Sequence, residues 1–455
     1  MSATPWSGKY RRISLGIIAL VSVFGFEGIA IGSIMPVAVR DLQALSDYSS
    51  VFTSFTMASL VGMTLAGLWA DRIGFDRAVL ATIVLLAIGS VLAGTAHALP
   101  QLLLGRVFQG LGLGTDLVTM YVLVARAYPE PLRPKALGML AGAWVVPGLL
   151  GPGLAGLLVQ YFSWRVTFLI IPVLLLGPLL LLVPEIRKLP RVEPKHHDDP
   201  VTQMAAVMLA IVALVSTQIF LSHAGQWSLT ILVPLVVACI GAVALSTKWL
   251  MPAGFLRLAR GLPSVIAVRG LIAGSFFGAE VFVPLALQHE RHVTVALSGA
   301  VLSAATVFWF AGSSAQASKR VRLSQVRIMQ LGASLVVISI VVLPATVFVI
   351  NDKFAAALTS ALVWGVAAFG MGMIYPTLGV LMLNMSSEQD HPRLSTSMQM
   401  SDSFGVVVMT SISGGVLTYA THMSGLSGKT FTIMWIFAAA IGIFALLATA
   451  RVIKK

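Results

Sequence analysis

Residues 67–77 are Gly-Leu-Trp-Ala-Asp-Arg-Ile-Gly-Phe-Asp-Arg, a short charged stretch between two long apolar runs at roughly 50–70 and 78–98. Each run is long enough to cross a bilayer as a helix, which takes about 20 residues. Both runs are continuously apolar, whereas the strands of a membrane barrel alternate apolar and polar residues. The stretch therefore predicts a tight turn, permitted by its glycines, between two membrane-spanning helices.

The same pattern continues along the whole chain. Polar stretches separate fourteen apolar runs, each of a length that can span a membrane. The runs lie at roughly 13–36, 50–70, 78–98, 101–126, 136–160, 165–183, 203–222, 226–247, 262–287, 294–313, 327–349, 354–383, 393–420 and 428–450. We therefore predict an all-α polytopic membrane protein with fourteen transmembrane helices.

The composition supports this fold class. Hydrophobic residues make up 57% of the 455 positions and charged residues only 10%, against roughly 25% charged in soluble domains. A soluble core could not bury so much apolar surface. Soluble enzymes, nucleic-acid-binding proteins and disordered scaffolds are therefore poor explanations of the sequence. The single cysteine, Cys239, rules out a disulfide framework.

The distribution of basic residues predicts the orientation. With the N-terminus in the cytoplasm, the outer segments contain Arg40, Arg165, Arg291, Lys353 and Lys429, and most of the 30 basic residues fall in inner segments. Cytoplasmic loops of membrane proteins collect Lys and Arg, which explains the net charge of +13 without a nucleic-acid partner. We expect both termini in the cytoplasm and a first apolar run that is retained. A location in the bacterial cytoplasmic (inner) membrane is implied by the family resemblance described below.

The longest polar interval, Pro184–Pro200, follows the sixth run and is interpreted as a hinge. It contains His196, His197, Asp198 and Asp199, whose side chains are of the types that bind metal ions. A solvated loop explains these residues better. We expect no metal or other cofactor.

An internal repeat indicates how the fourteen runs are grouped. Residues 67–72, after the second run, resemble residues 312–317 after the tenth. The glycines at 110–112 in the fourth run likewise resemble those at 370–372 in the twelfth. Repeats of this kind are found in secondary transporters. The predicted domains are an N-terminal six-helix half at 1–183, a cytoplasmic linker with two extra helices at 184–261, and a C-terminal six-helix half at 262–455.

Four short motifs carry a family resemblance. They are the turn at 67–77, Arg106-Val-Phe-Gln-Gly-Leu-Gly-Leu-Gly114 in the fourth run, Pro147-Gly-Leu-Leu-Gly-Pro-Gly-Leu-Ala-Gly156 in the fifth, and Trp164-Arg-Val-Thr-Phe168 before the sixth. In this order they resemble transporters of the major facilitator superfamily, and the fourteen spans resemble its 14-spanner drug:proton antiporters. The first motif departs from the family pattern, because Phe75 and Asp76 take the places of two basic residues and Arg77 follows one place later.

The resemblance implies a gating role for the turn. In relatives, an aspartate at the position of Asp71 holds the two halves closed on the cytoplasmic side, and Arg126 is the matching partner here. Gln316 replaces this aspartate in the second copy, so the contact should be asymmetric. An ordinary solvated turn is the alternative. The candidate gating residues are Gly67, Asp71, Arg72, Gly74, Arg77 and Arg126.

The fifth run supplies a second set of candidate gating residues, Gly148, Gly151, Pro152 and Gly156. Proline removes one hydrogen bond from a helix, so this helix could bend and rock against a neighbour. The motif resembles that of exporting antiporters. Generic close packing between helices is the alternative.

Acidic side chains lie well inside the predicted spans. They are Glu27, Asp116, Glu280 and Asp402, and Arg106 is the basic residue that we place at comparable depth. An ionised group at that depth costs about 3 kcal/mol. It persists where it faces a cavity, forms an ion pair or takes up a proton, because burial disfavours the charged form. The excess of carboxyl groups over bases predicts proton coupling.

The candidate proton-coupling residues are Glu27, Arg106, Asp116 and Glu280. Arg106, Gln109 and Asp116 share one face of a helix with 3.6 residues per turn, where Arg106 could keep a carboxylate charged until substrate or a conformational change disturbs it. Glu27 is the first choice for the proton carrier and Glu280 the second. A structural ion pair or polar packing contact between helices is the alternative.

A substrate cavity is predicted from aromatic residues together with polar groups. The aromatic candidates are Trp144, Trp309, Phe310, Trp364 and Tyr375, and the polar candidates are Gln109 and Asp402. Interfacial anchoring or core packing is the alternative for any single ring.

Together these features predict a proton-coupled antiporter that exports amphipathic small molecules, some of them cationic, by alternating access. Its expected partners are a small-molecule substrate, protons and the lipid bilayer, and we expect a monomer. An uptake symporter for a nutrient or metabolite and an exporter of lipid or siderophore are the alternatives within transport. A receptor or membrane enzyme lacks support, because the sequence shows no Ser-His-Asp arrangement, phosphate-binding loop or ATP motif.

Overall fold

A computed structural model describes residues 4–72, 74–189, 200–222, 227–318, 323–387, 390–423 and 425–453. Within these ranges the side chains of Gly67, Leu68, Ala70, Asp71, Arg72, Pro200, Leu221, Ser222, Leu229 and Pro392 are not described. All regular structure in the described residues is helical. The predicted all-α fold class is confirmed.

Sixteen α-helices follow one another through the described residues. They are α1 (Arg11–Asp41), α2 (Tyr48–Arg72), α3 (Phe75–Gly94), α4 (Leu99–Ala127), α5 (Arg133–Gly142), α6 (Val145–Tyr161), α7 (Trp164–Ile186), α8 (Pro200–Ser222), α9 (Leu229–Leu250), α10 (Leu262–Glu280), α11 (Phe282–Glu290), α12 (Val295–Ala317), α13 (Gln325–Phe348), α14 (Lys353–Asn384), α15 (His391–Met423) and α16 (Gly428–Ala448). Short 3₁₀ helices lie at Leu45–Asp47, Glu130–Leu132 and Thr449–Arg451.

Within the described part of the chain, 14 segments are long and apolar enough to cross a membrane, and they coincide with the predicted runs. Two of these segments contain two α-helices each. Glu130–Tyr161 includes α5 and α6, and Leu262–Glu290 comprises α10 and α11. The predicted set of spans is confirmed, and the protein is an integral, multi-pass membrane protein.

Polar residues at the ends of the loops start several spans. The Ser163 side chain accepts a hydrogen bond from the backbone N–H of Arg165 at the start of α7. The Asp352 side chain accepts one from the backbone N–H of Ala355, at 2.7 Å, at the start of α14. Caps of this kind satisfy N–H groups that have no partner within the helix. They fix where these helices begin after a polar loop.

The ninth span is interrupted at Glu280. Pro284 has no backbone N–H, so it cannot bond to the carbonyl oxygen of Glu280 four residues earlier. Accordingly α10 ends at Glu280 and α11 begins at Phe282. The break leaves the Glu280 side chain at the end of a helix inside the span.

The chain divides into two compact units. The first comprises Met1–Leu42 and Ser54–Met204, and the second comprises Gln43–Thr53 and Ala205–Lys455. In the first unit, α1 packs against α6 and α7, and α3 packs against α4 and α7. In the second unit, α10 packs against α15 and α16, and α13 packs against α14 and α16.

The two units repeat one arrangement of helices. Counting six spans from α1 and six from α10, the first span packs against the fifth and sixth in each unit, and the third against the fourth and sixth. This repetition confirms two six-helix halves, with α8 and α9 as the two extra central helices. The residue boundaries 1–183, 184–261 and 262–455 stay a prediction.

The repeat has a different register in the second span from the one predicted. A Cβ atom at Gly62 would meet the carbonyl oxygen of Leu111 on α4, and one at Gly312 would meet that of Phe369 on α14. These close approaches occupy equivalent places in the two units. Gly62, rather than Gly67, is therefore the counterpart of Gly312.

The fourth span shows the same kind of shift. A Cβ atom at Gly114 would meet the carbonyl oxygen of Ser59 on α2, and one at Gly372 would meet that of Trp309 on α12. The glycine two residues earlier faces the third span in both units. The pair at 112–114, rather than the pair at 110–112, is therefore the counterpart of Gly370 and Gly372.

Candidate functional site

Glu27 and Arg106 form a buried ion pair in the first unit. Nη1 of Arg106, on α4, donates a hydrogen bond to Oε1 of Glu27, on α1. The two side chains are only 3% and 0% exposed. The Oε2 atom of Glu27 is buried and accepts no hydrogen bond from the described residues. The structure thus brings together two of the four predicted proton-coupling residues.

The Arg106 side chain also has neutral partners. Its Nη1 donates to Oε1 of Gln109 at 2.9 Å, and Nε2 of Gln109 donates to the Ser90 hydroxyl on α3 at 3.1 Å. The ring of Phe55 on α2 lies 4.1 Å from the Arg106 guanidinium carbon. Gln109 is fully buried in this network, so here it orients Arg106. Its predicted contact with substrate stays a prediction.

Asp116 does not join this network. It lies ten residues after Arg106 on α4, which places it about 15 Å further along the helix. Its side chain is buried, and its Oδ1 has no hydrogen-bond partner among the described residues. The predicted shared face does not bring Asp116 into contact with Arg106, because two residues on one face can still lie several turns apart.

The motif of the fifth span packs beside Glu27. A Cβ atom at Gly151 would lie 3.2 Å from Ala30 and 3.3 Å from Phe26 on α1, and the Ser33 hydroxyl donates to the carbonyl oxygen of Pro152 at 3.5 Å. The buried face of α6 comprises Pro147, Gly148, Gly151, Pro152, Ala155 and Gly156. The predicted gating residues of this span therefore lie against the helix that carries the buried acid.

A second acid centre lies in the second unit. Nε1 of Trp364, on α14, donates a hydrogen bond to Oε1 of Glu280 at 3.1 Å. Trp364 is fully buried, and its ring stacks on Phe276 of α10 with centroids 4.7 Å apart. No cationic side chain of the described residues pairs with Glu280. The Glu280 carboxylate therefore has a neutral partner, whereas Glu27 has a charged one.

Asp402 is part of an ion pair that the sequence analysis missed. Nε of Arg269, on α10, donates to both carboxylate oxygens of Asp402 on α15, at 3.0 and 2.9 Å. The Tyr375 hydroxyl donates to Oδ1 of Asp402 at 3.3 Å, and the Tyr375 ring lies 4.4 Å from the Arg269 guanidinium carbon. From the sequence, Arg269 falls among the basic residues of the inner segments, and Arg106 is the basic residue placed inside a span. The position of Arg269 inside the apolar run at 262–287 is the signal that could have identified it as a second basic residue within a span.

Three of the predicted aromatic residues, Trp309, Trp364 and Tyr375, belong to one cluster of the second unit, in which Phe276 contacts both tryptophans. Trp309 contacts Phe277, with ring centroids 6.1 Å apart, and Tyr375, with ring centroids 5.1 Å apart. Trp144 belongs to the first unit, and Phe310 points away with 62% of its surface exposed. The rings of Phe277 and Tyr375 both contact Trp309, and the Tyr375 hydroxyl bonds to Asp402. These four residues are half-buried, as is Glu280, and we name the five residues Phe277, Glu280, Trp309, Tyr375 and Asp402 the aromatic–acidic face.

The turn at 67–77 is described only in part. Gly74 has a φ of +96°, at the start of α3, a conformation that favours glycine. Arg77 lines a cavity of about 410 Å³ together with Asp76, Leu80, Val183, Ile186 and Arg187. The side chains of Gly67, Asp71 and Arg72 lie outside the described residues.

Arg126 lies at the end of α4, with its guanidinium carbon 4.5 Å from the ring of Phe75. Its predicted contact with Asp71 stays a prediction. In the described ranges, no three His, Cys, Asp or Glu side chains lie close enough together to hold a metal ion. His196, His197, Asp198 and Asp199 lie outside those ranges.

Two curated proteins show the relationship at the level of sequence. An uncharacterised MFS-type transporter of Mycobacterium tuberculosis is 29% identical over 302 residues, which cover 62% of this chain and 42% of the relative. This chain thus spans about two fifths of that relative's length. The multidrug efflux pump SdrM of Staphylococcus aureus is 24% identical over 304 residues, covering 65% of this chain and 66% of the pump.

A solved structure shows the same fold. The POT family transporter PepTSo superposes with a TM-score of 0.72 and 18% identity, covering 96% of this chain and 97% of that protein. The family model described as Major Facilitator Superfamily matches residues 15–369. With two repeated six-helix halves, fourteen membrane spans and this match, the chain belongs to the Major Facilitator Superfamily of transporters.

Proposed function

We propose that this protein exports amphipathic small molecules across the bacterial cytoplasmic membrane in exchange for protons, by alternating access. The single observation that carries the proposal is the buried Glu27–Arg106 pair, in which one carboxylate oxygen has no donor among the described residues. In this proposal the protein acts as a monomer with both termini in the cytoplasm. Its partners are the substrate, protons and the surrounding lipid.

The ion pair between Glu27 and Arg106 can be broken by a proton that binds to Glu27. Burying both charges is costly, and their attraction offsets that cost only while both stay ionised. A proton on Glu27 removes the attraction and leaves Arg106 to be held by the Gln109 side-chain oxygen, which already accepts a hydrogen bond from it. Protonation would therefore loosen α1 from α4.

The loosened helix is the one against which the fifth-span motif packs. Gly151 and Pro152 lie next to Ala30 and Ser33 of α1. A helix face of small residues can slide or tilt with little steric resistance. A change in the position of α1 would therefore be passed to α6, and this supports coupling between the proton and the conformational cycle.

The aromatic–acidic face supports the proposed class of substrate. Aromatic rings attract organic cations through their π faces, and Glu280 adds a carboxylate that no cation of the described residues neutralises. A flat, amphipathic cation matches both features. The direction of transport is supported by the resemblance of the fifth-span motif to that of exporters and by the relative that is named an efflux pump.

The test is substrate-driven proton movement in proteoliposomes, with ethidium as the first probe and an internal pH-sensitive dye. We expect Glu27→Gln to abolish the proton signal, and Glu130→Gln, a change at an exposed loop residue, to leave it unchanged. If Glu27→Gln and Glu280→Gln both move protons like the parent protein, proton coupling through these acids is wrong. Flux into inside-out vesicles separates export from the uptake alternative.

A panel of toxic compounds gives the matching test in cells. Cells that contain the protein should tolerate several amphipathic compounds better than cells without it, and a protonophore should remove the difference. An envelope defect in cells lacking the protein, without any change in tolerance, would favour export of a lipid.

A further inference from the structure

Two glutamates, the buried Glu27 and the half-buried Glu280, lie in repeated sequence. Residues 22–27 of α1 are Ser-Val-Phe-Gly-Phe-Glu, and residues 275–280 of α10 are Ser-Phe-Phe-Gly-Ala-Glu. The glycine of each motif faces the fifth span of its own unit: Gly25 abuts Pro147 on α6, and Gly278 abuts Met409 on α15. Glu27 and Glu280 are therefore counterparts in the internal repeat.

The donors to these glutamates are counterparts as well. Arg106 precedes the glycine pair 112–114 by the same number of residues as Trp364 precedes the pair 370–372. The two glycine pairs make equivalent approaches to the second and third spans of their units. One position of the repeat thus holds a guanidinium in the first unit and an indole in the second, and each donates to the repeated glutamate.

Around Glu280, the described residues of the second unit supply no cation in place of the arginine found in the first unit. The helices packed around it contribute Trp364 from α14, Met409 from α15 and Trp435 from α16, whose indole donates to the carbonyl oxygen of Ala279 at 3.3 Å. The hydroxyl of Tyr48 donates to the carbonyl oxygen of Val281 at 2.6 Å. All of these groups are neutral.

The other charged residue of α10, Arg269, is already paired. Arg269 lies eleven residues before Glu280 on α10, about 16 Å away along the helix axis. Its guanidinium is held by both oxygens of Asp402. No cationic side chain of the described residues therefore neutralises Glu280.

We infer that Trp364 is the positioning residue of a second acid site, in which a neutral hydrogen bond orients Glu280 while leaving its charge to be neutralised by a proton or by a cationic substrate. The inference rests on the proposed function. The first acid site carries its own counter-ion, Arg106, and the second does not. The two units therefore place a glutamate at the same position of the repeat but give it different partners, a cation in the first unit and a neutral donor in the second.

Two substitutions at Trp364 separate this role from a structural one. Trp364→Phe keeps an aromatic ring against Phe276 but removes the donor, so it should favour protonated Glu280 and move the pH midpoint of ethidium-driven proton exchange upward. Trp364→Arg supplies the charge found in the first unit, so it should favour ionised Glu280, move the midpoint downward and raise the KM for ethidium at least tenfold. A merely structural tryptophan would lose activity in both variants without opposite shifts.

The control is Trp227→Phe, because Trp227 is a partly exposed residue that packs on Phe220. It should leave both the pH midpoint and the KM unchanged. If Trp364→Arg does not fold, the test rests on Trp364→Phe. A pH midpoint of proton exchange in Trp364→Phe equal to that of the parent protein overturns the inference. Equal midpoints in both variants overturn it as well.

An infrared measurement separates this inference from the proposed function. The carboxyl band of protonated Glu280, assigned by its loss in Glu280→Gln, should titrate at higher pH in Trp364→Phe and at lower pH in Trp364→Arg. This readout needs no transport. If the parent protein moves no protons with ethidium but the band shifts as expected, the proposed function fails and the role of Trp364 stands.

Discussion

At the scale of single residues, the two acid centres differ in how charge is balanced inside a membrane. Glu27 meets the guanidinium of Arg106, and Glu280 meets the indole of Trp364. Removing one partner of a buried ion pair leaves a charge without compensation, which is more costly than removing both. The ion pair between Glu27 and Arg106 can therefore be tested by comparing the free energies of unfolding of single and double variants.

We expect Arg106→Gln to lower the free energy of unfolding by about 3–5 kcal/mol, because it leaves Glu27 buried and unpaired. The double variant Glu27→Gln with Arg106→Gln should be more stable than Arg106→Gln, since two neutral amides can bond to each other. Thermal unfolding in detergent measures both effects. The exposed Arg327→Gln is the control, and equal losses from Arg106→Gln and Arg327→Gln would contradict the assignment.

At the scale of helices, glycines set the distance between the second and fourth spans of each unit. At Gly114 a side chain would strike the carbonyl oxygen of Ser59, and at Gly372 that of Trp309. Backbone atoms cannot move aside as the end of a flexible side chain can. These close contacts, between α2 and α4 and between α12 and α14, fix how α4 and α14 are shifted and rotated against their neighbours. They therefore also fix the positions of Arg106 on α4 and Trp364 on α14.

Gly114→Ala and Gly372→Ala should therefore each destabilise the protein by about 1–3 kcal/mol, the usual cost of overpacking. Gly138→Ala, in α5, is the matched control, because a Cβ atom there meets nothing within 4 Å. It should be neutral or stabilising by up to about 1 kcal/mol, since alanine favours a helix. Unfolding midpoints in detergent compare the three variants, and a tolerated Gly114→Ala would show that the crossing can relax.

At the scale of the whole molecule, the order of the spans and the excess of basic residues in alternate loops predict the orientation in the membrane. The loop containing His97 joins the third and fourth spans, and the loop between the fourth and fifth spans leads directly into Glu130, where the fifth span begins. Both residues are exposed. With a cytoplasmic N-terminus, the first loop lies outside and the second inside.

Labelling single cysteines tests this orientation. In a protein without Cys239, a membrane-impermeant maleimide should label His97→Cys in intact cells and should label Glu130→Cys only after the membrane is opened. The native Cys239, which is buried, should stay unlabelled in the parent protein under both conditions. Labelling of Glu130→Cys in intact cells would reverse the topology.

The amino-acid sequence by itself determined the fourteen spans, the fold class and the buried acids, because long apolar runs and charges within them are local signals that survive any arrangement of the helices. Only the tertiary structure decided the partners. Glu27 and Arg106 are 79 residues apart, and Arg269 and Asp402 are 133 apart. Which side chains meet across such intervals depends on the rotation and register of packed helices. The short motifs aligned the wrong glycines of the two halves, and the close approaches of the helices at Gly62, Gly114, Gly312 and Gly372 gave the correct register of the repeat.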